Sequence, residues 1–156
     1  MNNKKSCPVK TAMFVLLAAS VLIACAGAPH FADVLDKDWK LSEVRIGGTD
    51  IGFERGKLAD EGFGEVFTLR FDNERINGIG APNRYFAPYT LGDKNSIAIK
   101  AIAGTMMAAF REPEALKEHE YFTLLQNTGK WNLVKGNLTL YSKNADGAEA
   151  VLVFSE

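Results

Sequence analysis

The chain has 156 residues, 47% hydrophobic and 24% charged, enough for one packed core and too few for two ordinary domains. Its formal charge of −1 conceals a division: Lys4, Lys5 and Lys10 precede the first acidic residue, Asp33, and the remainder without them carries about −4. With no cluster of Lys and Arg along the sequence, that balance excludes a general attraction to phosphate backbones, and no nucleic-acid partner is expected.

The basic start runs into "TAMFVLLAASVLIA" (residues 11–24), an uncharged stretch shorter than a helix needs to cross a hydrocarbon core of about 30 Å. It has the proportions of a secretory signal. It ends in "LIAC" (residues 22–25), where a large aliphatic residue, a small residue and then cysteine resemble the lipobox of bacterial lipoproteins. The thiol of Cys25 would take the lipid as a thioether, and cleavage would expose its amine for further fatty acylation. The expected organisation is a leader over residues 1–24, a lipidated tether over 25–35 and a folded domain over 36–156. The implied partner is a membrane of the bacterial cell envelope, reached through Cys25. An ordinary signal peptide cleaved near Ala26 or Ala28, with Cys25 incidental, is the alternative. Cys7 lies in the leader, so the mature chain would keep Cys25 alone and form no disulfide within itself.

"AGAPHFADVL" (residues 26–35) reads as the tether, small residues and a proline, and His30 within it as a solvated side chain with no second metal ligand nearby in sequence. Beyond Asp36, short runs of period-two alternation recur between turn residues, the pattern of antiparallel sheet. The runs are "WKLSEVRI" (39–46), "EVFTLRF" (65–71), "RINGIG" (75–80), "RYFAPYTL" (84–91), "SIAIKAIA" (96–103), "KWNLV" (130–134), "NLTLYS" (137–142) and "AVLVF" (150–154). Phe67, Leu69 and Phe71 share one face of the second run, and Trp39 and Trp131 begin strands, where burial is expected.

One segment, "REPEALKEHEYFTLLQNTG" (111–129), predicts a long helix. Pro113 would sit in its first turn, Glu112 and Glu114 near the positive end of its dipole, and Gly129 at its stop. Ala115, Leu116, His119, Phe122 and Leu125 or Gln126 then form an apolar stripe able to cover a curved sheet. His119, flanked by Glu118 and Glu120, reads as a half-buried helix position, since adjacent helical residues point about 100° apart and do not converge on a ligand.

"INGIGAPNRYFAPYTLG" (76–92) looks most like a site. A phosphate loop leads into a helix N-terminus, whereas this one leads into a strand. Gly78, Gly80, Pro82 and Asn83 suit a tight turn, and Arg84 is the only basic residue near Tyr85, Phe86 and Tyr89 in sequence.

Together these pieces resemble the META domain, the heat-shock HslJ-like family of envelope proteins, over residues 39–154. Where that family's hairpin reads Gly-Cys-Asn and then aromatics, this chain has Gly80-Ala81-Pro82-Asn83, Tyr85 and Tyr89. Where its next element reads Thr-x-Met-Ala-Cys, this chain has Thr105-Met106-Met107-Ala108-Ala109. Both family cysteines are absent together, which removes any redox role a pair of them would imply. The resemblance implies an α+β fold, an antiparallel curved sheet forming an incomplete β-barrel with one long helix packed across it. It brings no catalytic residues.

Three function classes follow. The first is a membrane-anchored lipoprotein with a non-enzymatic structural, stress-related or protein-interaction role. The second is a carrier of lipid or a small hydrophobic ligand, like the cracked-barrel secretin-pilot lipoproteins that META domains are reported to resemble, with Met106, Met107, Phe110 and Phe122 lining the cavity. Core filling is the commoner use of such residues. An enzyme is the weakest class, since two histidines and no free mature thiol leave little for nucleophile or metal chemistry. No cofactor and no metal are expected.

Overall fold

The computed structural model describes residues 29–107 and 111–156. Among them the chain forms a 3₁₀ turn (Phe31–Asp33), two α-helices, α1 (Arg55–Asp60) and α2 (Glu118–Gln126), and ten strands. These are β1 (Trp39–Ile46), β2 (Thr49–Asp50), β3 (Thr68–Phe71), β4 (Arg75–Ile79), β5 (Arg84–Leu91), β6 (Ile97–Ile99), β7 (Ala103–Gly104), β8 (Lys130–Val134), β9 (Asn137–Lys143) and β10 (Glu149–Ser155). The sheet runs β6-β5-β4-β3-β1-β10-β9-β8, with β2 beside β1 and β7 beside β5. Every neighbouring pair is antiparallel.

The two ends of that path meet. Ser96 bridges Lys130, the Trp131 N–H donates to Asn95 O at 3.0 Å, and the Ile97 N–H donates to Gly129 O at 3.1 Å. The result is a nearly closed barrel with one seam, an α+β fold in which little edge is left unpaired. Alternation fills its interior: Trp39, Leu41 and Val44 of β1, Leu69 and Phe71 of β3, Tyr85 and Ala87 of β5, and Leu152 and Phe154 of β10 are all buried.

β1, β5 and β8 occupy the expected residues, and β9 and β10 lie within one residue of them. β3 is shorter than its alternation predicts. Phe67 is fully buried as expected, yet it adopts a left-handed backbone (φ 54°) and so falls outside the strand. For a bulky residue this conformation costs about 1–3 kcal/mol and needs surrounding contacts to hold it. Its N–H donates to Gly80 O at 3.2 Å, while its carbonyl accepts from the Leu41 N–H at 3.0 Å and Arg55 Nη2 at 3.2 Å. Arg55 comes from α1, whose six residues bury only Leu58 and carry too little periodicity to be seen in sequence.

The long helix is corrected. α2 has nine residues, so Pro113, Glu112 and Glu114 precede it. Its start is closed by the Lys117 N–H donating to Glu120 Oε2 at 2.8 Å, and Glu118 and Glu120 supply the acidic first turn. Its buried face is Tyr121, Leu124 and Leu125. His119 is exposed rather than half-buried, because two helical steps turn it about 200° from Tyr121.

The tether is also corrected. Phe31 packs edge-on against Phe71 and Trp131, with centroids 5.2 and 4.9 Å away, and lies 5.6 Å from Tyr89. Val34 is fully buried, and its carbonyl accepts from Trp39 Nε1 at 3.0 Å. Phe31 is therefore already packed, its one aromatic ring joining β3, β5 and β8. Both tryptophans are buried as expected. Trp39→Ala should lower the unfolding free energy by about 3–5 kcal/mol in urea titrations, the range for a large aromatic removed from a packed core.

Candidate functional site

The "GIGAPN" stretch is the turn between β4 and β5, with Ile79 opposite Arg84 and the Gly80 N–H donating to Asn83 O at 2.6 Å. Its amides do face an anion, and that anion belongs to the protein. Glu118 Oε1 accepts from the Ala81 N–H at 2.6 Å and the Asn83 N–H at 2.7 Å, while Asn83 Nδ2 donates to Oε2 at 2.7 Å. The other end of the same amide reaches a third segment: Asn83 Oδ1 accepts from Thr105 Oγ1 at 2.8 Å and the Met107 N–H at 2.7 Å. Hydrogen bonds to a carboxylate are about twice as strong as neutral ones. One Glu–Asn pair thus joins the turn, the 105–107 loop and α2.

The glycines answer to this closeness. A Cβ on Gly80 would lie 2.5 Å from Glu118 Oε1 and 2.8 Å from Phe122 Cζ, and one on Gly78 would overlap the Thr68 carbonyl. Neither residue has the positive φ that usually calls for glycine.

Beneath the turn, Tyr85 OH donates to Thr68 O at 2.8 Å and Tyr121 OH donates to the same oxygen at 3.1 Å. Burial pushes both phenols above their ordinary value of 10. Both are therefore neutral donors at neutral pH.

The sequence-expected site residues separate. Met106 and Met107 are 98% and 59% exposed, on a loop whose base Asn83 holds, and they line no enclosed cavity among the described residues. Phe122 is partly buried, 5.2 Å from the Tyr85 ring. Cys25 and Phe110 lie outside the described residues, as does the leader. Two of the concavities among the described residues bear on function. An open cleft of about 540 Å³ crosses the outer face of β3, β4 and β5 and includes Arg70, Arg75, Arg84 and Phe86. A crevice of about 300 Å³ runs beside α2, floored by Ile46, Ile51, Leu116 and Leu124 with His119 at its rim. Among the described residues no three His, Cys, Asp or Glu side chains are grouped to hold a metal.

Sequence reading missed both Glu118 as the turn's acceptor and the arginine cleft. Glu118 stands 35 residues from Asn83, and nothing local marks it. The cleft depends on strand register.

A nearly closed antiparallel barrel barred by a short helix, its motif residues engaged in internal hydrogen bonds, defines a barrel domain whose recognisable motifs build the fold. The META domain model matches residues 32–155, and the chain belongs to that family. It is a family not known as enzymatic. The fold is similar to that of a protein from Burkholderia xenovorans solved by NMR, at 18% identity and a TM-score of 0.58, covering 97% of this chain and 99% of that one. No curated protein matches the sequence.

Gly80→Ala should destabilise by more than about 1 kcal/mol, because Glu118 cannot yield without losing its donors. Thermal melts with and without phosphate check this. The result expected is a lowered Tm and no phosphate-dependent difference between wild type and variant. The phenols carry a separate expectation. With folded-state values raised, their contribution to stability is full below pH about 10 and falls as pH rises through the folded values. Tyr121→Phe should lessen that alkaline loss in denaturant titrations at pH about 10 and above, with the buried Tyr85 phenol supplying the remainder.

Proposed function

We propose that the chain is a lipid-anchored envelope protein whose META domain has a non-enzymatic structural, stress-related or protein-interaction role, exerted through the surface it presents rather than through chemistry. The lipobox-like "LIAC" ending at Cys25 supports the anchor. Phe31, a packed side chain near the start of the described residues, follows Cys25 by six positions. That is at most about 20 Å of extended chain, and the domain would ride close to its membrane.

The observation that carries the interaction role is the Met106–Met107 pair, exposed on a loop pinned at its base by Asn83. Methionine side chains adapt to varied apolar surfaces, and the fixed base reduces the ordering entropy that binding would otherwise cost. Carriage of a small hydrophobic ligand is the second reading, favoured by the apolar floor of the crevice beside α2. Native mass spectrometry of detergent-extracted protein would show a further, non-covalently retained lipid under that reading and only the mass of the acylated chain under the first.

For the anchor, Cys25→Ser should abolish incorporation of labelled fatty acid and leave precursor or a differently cleaved product; undiminished labelling contradicts it. For the loop, a photo-crosslinking residue at position 106 should give protein adducts in cells, whereas one at Lys135, on the β8–β9 turn, should not. Equal adducts from both positions contradict the loop's role.

A further inference from the structure

The outer face of β3, β4 and β5 gathers residues that lie apart in sequence. Arg70 stands opposite Asn77 across β3 and β4, Asn77 stands opposite Phe86 across β4 and β5, and Ile79 stands opposite Arg84. Ile76, Tyr85 and Ala87 are buried, so alternation turns Arg75, Asn77, Arg84 and Phe86 outward. Asn77 therefore has Arg70 beside it, Arg75 two residues along its own strand and Arg84 on the diagonal, all within the roughly 4.5–8 Å spacing of neighbouring sheet positions. These side chains line the 540 Å³ cleft. The Phe86 ring is 48% exposed, with the Arg75 guanidinium carbon 6.0 Å from its centroid.

Two of the three arginines have counterions of a replaceable kind. Arg70 reaches Asp38 at 3.1 Å and Asp36 at 3.5 Å, and Arg75 Nε reaches Asp72 at 3.5 Å, all partly exposed pairs. Such pairs are individually weak and exchange readily for a better acceptor. Asp38 and Asp72 also line the cleft and Asp36 stands at its edge, so Arg84 is the one of the three arginines with no carboxylate paired to it among the described residues.

We propose that this cleft binds a phosphate ester. Three guanidiniums carried by three adjacent strands into one cleft suit a tetrahedral oxyanion with several free oxygens, and each fork can engage two of them. The Asn77 amide supplies a further donor, and the Phe86 ring offers an apolar platform for the ester's organic part, which inorganic phosphate lacks. The ester could come from a soluble metabolite or from a phospholipid headgroup. The second source rests on the anchoring proposed above. It is geometrically consistent with it, because Leu35 bridges Phe71 and Asp36 pairs with Arg70, placing the incoming N-terminal chain beside this cleft.

The test uses the full chain in a neutral sugar-headgroup detergent, with the arginine Nε–H signals followed by NMR during titration with glycerol 1-phosphate and, as control, glycerol. Saturable shifts at Arg75 and Arg84 are expected, with affinity falling at least about tenfold in Arg75→Gln and in Arg84→Gln while the backbone amide spectrum stays unchanged. No saturable shift, an equal response to glycerol, or unchanged affinity in both variants would overturn the proposal. A second arm compares nanodiscs of phosphatidylglycerol with nanodiscs of a phosphate-free galactolipid. Shifts in the first alone identify the headgroup as source, and a response to glycerol 1-phosphate without them identifies a soluble ester. Repeating the detergent titration with Cys25→Ser separates the two readings. Retained binding there keeps the cleft even if the anchor fails, and loss of binding in every arm removes the cleft whatever becomes of the anchor.

Discussion

The Glu118 carboxylate facing the Gly80–Asn83 turn is the contact on which the rest of the arrangement depends. It satisfies the Ala81 and Asn83 amides and one hydrogen of the Asn83 side chain, donors that would otherwise be withheld from water beneath α2. An unmatched buried amide costs about 1–3 kcal/mol and an unmatched carboxylate more. Moving the helix would break these bonds, and they hold it in place across the barrel. At its far end the Asn127 side chain donates to Lys143 O at 3.0 Å, which ties that end of the helix to β9. Gly80 is required because the helix comes this close, and Asn83 passes the constraint on to Thr105 and Met107.

Two further features take their place around that junction. The left-handed Phe67 gives its N–H to Gly80 O, so the strained residue rests on the same turn that Glu118 fixes, and its ring meets Tyr121 of α2 at 5.0 Å. At the base of the barrel, Phe31 packs against Phe71, Tyr89 and Trp131 and so joins strands from both sides of the seam. The segment from Phe31 to Val34 is thus part of the core.

Alternation made much of the sheet legible, because a strand with one buried face repeats every two residues: β1, β5 and β8 stand where their patterns put them, and Trp39 and Trp131 are buried. The turn at residues 80–83 was legible from glycine, proline and asparagine chemistry. What escaped reading depends on long-range geometry. Pro113 looked like a first-turn proline, yet the helix waits for the Lys117–Glu120 closure, and the shifted phase puts His119 in solvent. Phe67 carries no local sign of a left-handed backbone, since that conformation is imposed by Gly80, Leu41 and Arg55. Glu118 and the arginines around Asn77 become neighbours only when the register across three strands and the placement of α2 are known. Met106 and Met107 have core-like composition, and it is the hydrogen bonds at the loop's base that turn them outward.

The recognisable motifs of this domain are occupied in holding its own segments together, and the proposed methionine loop and arginine cleft are positioned by the same turn and its flanking strands. The measurement that tests this most directly is a double-mutant cycle in urea unfolding between Asn83→Ala and Glu118→Ala. The two variants should be strongly non-additive, with a coupling energy of about 1–3 kcal/mol, because each removes what the other needs. Additivity within about 0.3–0.5 kcal/mol would contradict the central place given to this contact.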